Sequence, residues 1–96
     1  WAGLLGEERG RLATAAAAQC GESPDAASTR VWSAVECLKK ATSLPIAPLV
    51  LGAGADPHPH GRWLLLRSGR FDIATLVAAV EGVEQPLALA VLAERT

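Results

Sequence analysis

The chain has 96 residues, a formal net charge of −1, and half of its residues are apolar. That length supports one domain spanning residues 1–96 with one core, and that composition folds rather than staying disordered. The charge balance argues against a nucleic-acid surface, which needs concentrated basic groups. No apolar run approaches the length of a bilayer-spanning helix. The first residues, Trp1–Gly6, lack the basic start and apolar core of a secretory signal, and the sequence holds no methionine. The expectation is a fragment or processed chain of a longer protein, soluble and cytoplasmic.

In chain order, the first segment runs from about Leu4 to Cys20 and is good helix material. Glu7 and Glu8 fall near its start, alanines form its apolar face, and Gly21 is a natural stop. Alanine buries little surface, so this helix needs a close neighbour. Ser23-Pro24-Asp25 then signals a second helix: a capping hydroxyl, a proline at the first helical position and a carboxylate in the first turn. Ala27, Val31, Ala34, Val35 and Leu38 fall on one face, and Lys39 and Lys40 lie where the dipole favours cations.

Ile46–Leu51 is a short apolar run. Pro48 makes it an edge strand or the start of one. Residues 52–61 are glycine- and proline-rich and are expected to form a loop, and Arg62–Arg67 a second strand antiparallel to the first. Asp72 has the character of a helix cap, and Ile73, Leu76, Val77 and Val80 follow at helical spacing, with Gly82 as the stop. Residues 87–95 are continuously apolar to Ala93. They suit either a helix or a strand covered on both faces, and their place after a short turn favours the strand. The expected fold is α+β, in the order α-α-β-β-α-β, with helices packed on a small three-stranded sheet. The alternative is a mostly helical fold with one β-hairpin.

Candidate chemistry is sparse. Asp56, His58 and His60 form a possible metal site, since alternate residues of an extended chain share a face. A structural zinc site wants four ligands, and the chain has no further histidine. Arg62, Arg67 and Arg70 cluster around one strand and form a candidate anion site, although charges beside an apolar strand also keep its edge soluble. Gly52-Ala53-Gly54 lacks the third glycine and the following helix of a dinucleotide loop, and no phosphate-loop lysine occurs. No serine sits in a nucleophile elbow. Cys20 and Cys37 are too few for a disulfide framework and are expected as free thiols.

No cofactor and no catalytic residue is assigned. The expected function is that of a non-enzymatic protein–protein interaction domain, or a structural subunit of a homo- or hetero-oligomer. Trp32, Leu49, Leu51 and Trp63 are its candidate contact residues, since aromatic and apolar groups concentrate binding energy at interfaces. The first helix, with its alanine face, is a further candidate surface. The alternative is a small enzyme or regulatory ligand-binding domain that uses the Asp56–His60 loop and the nearby arginines.

Overall fold

Ser23 caps a helix as its sequence context requires. The side chain accepts a hydrogen bond of 3.1 Å from the Ala26 amide, Pro24 occupies the first turn, and helix α2 runs Pro24–Ala41. Ser23→Ala should therefore lower stability by about 1 kcal/mol, read as a drop in melting temperature. Before it, helix α1 runs Ala2–Cys20 with a break at Gly6. Gly21 ends it at φ 65°, a left-handed conformation that glycine adopts without a Cβ penalty. The Glu22 amide then donates back to the Ala17 carbonyl at 3.1 Å, which closes a Schellman turn. The fold is that of a computed structural model describing residues 2–42, 48–52, 56–58, 61–78, 82 and 87–94, with backbone alone at 2–5, 56–58 and 61.

The two helices form a hairpin, and the alanine face of α1 is spent inside it. Ala13, Ala16 and Cys20 are buried in one cluster with Ala27, Val31, Ala34, Val35 and Leu38 of α2. Small side chains let the two backbones approach closely, and dispersion then replaces the surface that alanine cannot bury.

The remaining described elements are strands. The strands are β1 (Leu49–Leu51), β2 (Asp56–His58), β3 (Gly61–Ser68), β4 (Phe71–Ala78) and β5 (Leu87–Glu94). All pairings are antiparallel, in the order β1-β3-β4-β5. β2 lies beside β1 along the same edge of β3, with Asp56 opposite Trp63 and His58 opposite Gly61. The class is α+β, but the three-stranded sheet and its element order are corrected: among the described residues two helices are followed by five strands. The mostly helical alternative falls with them.

The expected helix after Asp72 is strand β4. Apolar residues at 73, 76 and 77 satisfy helical spacing, but Phe71, Ile73, Thr75 and Val77 alternate, and these aromatic and β-branched side chains favour a pleated surface. The turn decides between the two patterns. Gly69 has φ 57° and Ser68 pairs with Phe71, so a two-residue hairpin returns the chain directly along β3. Eight consecutive residue pairs follow. Asp72 caps nothing; it lies across from Arg67, with Oδ1 3.3 Å from Nε.

β1 begins after Pro48 at the sheet edge, as expected. Part of the expected loop at 52–61 is strand β2, because Asp56–His58 pairs with the start of β3. The tail is a strand, yet it is not covered on both faces: among the described residues β5 is the other edge, and its residues largely alternate between exposed and half-buried.

Both helices lie on one face of this sheet, α1 over β1 and β3, α2 over β4 and β5. Leu49, Leu64, Leu66 and Ile73 point into the helix layer and belong to the core. Arg30 of α2, completely buried, ties the two layers together. Its Nε and Nη2 reach the two Glu22 carboxylate oxygens at 3.1 and 2.6 Å. Nη1 donates to the Thr75 carbonyl at 2.7 Å and to the Thr75 hydroxyl at 3.0 Å, and Nη2 also donates to the Arg62 carbonyl at 3.0 Å. All five guanidinium protons thus have acceptors, as a buried charge requires. The Thr75 hydroxyl passes its own proton to the Leu64 carbonyl at 2.7 Å.

Candidate interaction surface

Side chains alternate across a strand, so the register sorts every sheet residue onto the helix side or the opposite side. On the opposite side the cross-strand rows are Trp63–Leu76–Leu89, then Leu65–Ala74–Val91, then Val50–Arg67–Asp72–Ala93. Apart from the Arg67–Asp72 ion pair these rows are apolar, and among the described residues no helix lies against them. Among the described residues, four of the five exposed large apolar side chains are here: Val50, Leu87, Leu89 and Val91. Leu87, Leu89 and Val91, at 59%, 47% and 52% exposure, all come from β5. The fifth is Trp32, 41% exposed on α2.

Trp32 marks a second feature, on the helix side of β5. Trp32, Ser33, Glu36, Cys37 and Lys40 of α2 and Ala90 of β5 line an open groove of about 320 Å³. The β5 edge is therefore flanked by an apolar sheet face on one side and by this groove on the other.

The expected contact residues are divided by this arrangement. Trp63 is half-buried on the open face, in one row with Leu76 and Leu89. Leu49 and Leu51 face the helices instead, Leu49 within the core and Leu51 packed against it. The outward residue of β1 is Val50. Leu87, Leu89 and Val91 were absent from the expected set. Their signal was the uninterrupted apolar run Leu87–Ala93, which shows strand or helix but not which side is left open.

The three arginines do not converge. Arg62 and Arg67, five residues apart on β3, point to opposite faces. Arg67 pairs with Asp72 at 3.3 Å, and Arg70 pairs with Glu94 at 3.0 Å while lying over the Phe71 ring, 5.5 Å from its centroid. The exposed Arg62 contributes its backbone carbonyl to the Arg30 network. Of the histidine loop, Asp56 and His58 have their backbone in β2, and His60 lies outside the described residues. Among the described residues no group of three or more His, Cys, Asp or Glu side chains is placed to hold a metal.

Both cysteines are free. Burial pushes the Cys20 thiol above its ordinary range; Arg30 opposes the shift and Glu22 adds to it. Cys20 thus stays protonated at neutral pH. The stability linked to this raised value is intact below the ordinary thiol range and is lost as pH rises through the folded value. Cys37 is half-buried at the groove, its Sγ 4.0 Å from the Ala90 carbonyl oxygen. A thiol-reactive dye added to the folded protein should label Cys37 first and Cys20 only on unfolding, as peptide mapping would show. Equal labelling rates would contradict this burial.

Among the described residues no helix is long and apolar enough to cross a membrane. The chain matches no model of a known family, and no curated protein or solved structure is similar to it.

Proposed function

We infer that this chain is a non-enzymatic interaction domain, a subunit that associates with other protein through the β5 side of its sheet. One observation carries the reading. An edge strand of eight residues exposes Leu87, Leu89 and Val91 on its outward face and holds no charge before Glu94. Proteins that leave such an edge free usually blunt it with lysine, proline or a bulge, because unpaired strand backbone templates association. Contiguous apolar surface of this kind marks interfaces. Trp32, exposed on α2 beside the same edge, adds an aromatic anchor of the sort that concentrates binding energy.

The test is the native mass of the assembly recovered from its source. The expected native mass exceeds that of one covalent chain, whose own mass is read from the same material under denaturing conditions. Recovery as a lone chain, at native concentration and with β5 folded, would contradict the reading.

A further inference from the structure

Resting on that reading, we propose that the occupant of the β5 edge is a second copy of this chain, paired strand to strand and antiparallel about a two-fold axis at Ala90. The backbone permits it. β5 pairs with β4 through eight consecutive partners with no bulge, so its free side presents a regular row of donors and acceptors. Among the described residues no strand lies beyond it.

The side chains select the register. With the axis at Ala90, Leu89 faces the partner's Val91 and Leu87 faces the partner's Ala93 on the open side. Ala88 faces the partner's Leu92 on the helix side, and Ala90 meets its own copy. Like faces meet like faces, all seven residues from Leu87 to Ala93 are used, and no charge falls inside the pairing. A shift toward Val91 brings Glu94 opposite Ala88. A shift toward Leu89 sets Pro86, which has no amide proton, opposite Leu92.

The helix layer is complementary under the same axis. Helix α2 lies over β4 and β5, so the axis runs it antiparallel to its copy. Ala90 lies beside Glu36 and Cys37, so the axis passes the last turns of α2 and the two helix dipoles oppose. Trp32 then approaches the partner's Lys40, an arrangement suited to a cation–π contact. The grooves beside Ala90 meet at the axis.

The size is sufficient for specific but weak pairing. Eight strand residues span about 27 Å, and two layers each about 10 Å thick make a side of roughly 500 Å² per copy. Two such sides bury about 1,000 Å² in total, at the lower bound of specific interfaces, so weak, concentration-dependent pairing is expected.

Sedimentation of the full chain from micromolar to millimolar concentration, with two double variants, tests this. The wild type should pass from one chain to two. Leu89→Lys with Val91→Lys sets like charges across the interface at both Leu89–Val91 pairs. Leu89→Lys with Val91→Glu sets opposite charges at the same places. Both positions are half exposed, and circular dichroism melts confirm folding. The lysine–glutamate variant should dimerise at least about tenfold more tightly than the lysine–lysine variant, because directly opposed charges differ in sign of interaction. Equal weakening of both would overturn this register, and a wild type that stays single at every concentration would overturn self-pairing. In that last case a native mass above one chain would keep the interaction reading with a different partner, whereas a single-chain native mass would end both.

Discussion

Arg30→Met should lower the stability of the domain by about 3–5 kcal/mol, a melting shift of more than about 10 °C for a chain of this size. The change removes a fully buried cation whose five protons are all engaged. It leaves the Glu22 carboxylate largely buried without its partner, and it removes one donor from each of the Arg62 and Thr75 carbonyls. A charge left alone in low dielectric costs more than the pair contributed. Arg30→Lys should recover only part of the loss, since three ammonium protons do not match a planar fork. Combining Arg30→Met with Glu22→Leu should cost less than the sum of the two single changes, because the second removes the orphaned charge. Additive losses in a thermal or urea series would show that the network is not cooperative.

Leu66→Ala should cost about 2–5 kcal/mol, whereas Leu89→Ala in the isolated chain should cost well under half as much. Both residues are leucines in strand centres, and sequence does not separate them. Leu66 is completely buried against the helices, so its loss opens a cavity that the core fills poorly. Leu89 is half exposed on the open face, where water already reaches it. Urea midpoints of the two variants check the polarity of the sheet. Similar midpoints would mean that something covers both faces in the isolated chain.

Where structure is decided locally, the sequence was sufficient. The Ser23-Pro24 cap, the α2 stripe from Ala27 to Leu38, the Gly21 stop and the Pro48 edge all depend on residues within a turn or two. β4 was not legible in this way. Its residues satisfy both a helical and an alternating pattern, and the choice rests on β3, which the Gly69 turn brings alongside. The Arg30 network was half legible. Arg30 falls within the apolar stripe, between Ala27 and Ala34, a position that should have announced burial. Its acceptor Thr75 is 45 residues away, and only the fold supplies it.

The interaction surface follows the same division. The apolar run of β5 is visible in the sequence, but its exposure depends on both helices choosing the other face of the sheet. That choice follows from the core: Leu64, Leu66, Ile73 and Thr75 complete the helix layer, and Arg30 anchors α2 above them. The loop with His58 drew attention because of its composition, while the more consequential feature was a stretch without any distinctive residue.

Amide hydrogen exchange across Leu87–Glu94 tests the central claim most directly, read in the isolated chain at low concentration and again in its assembly. In the free chain, the amides of β5 that point away from β4 should exchange rapidly, since only one side of the strand is paired. In the assembly the same amides should become protected, with β3 and β4 little changed. Equal exchange of the β5 amides in both states would contradict an interface at this edge.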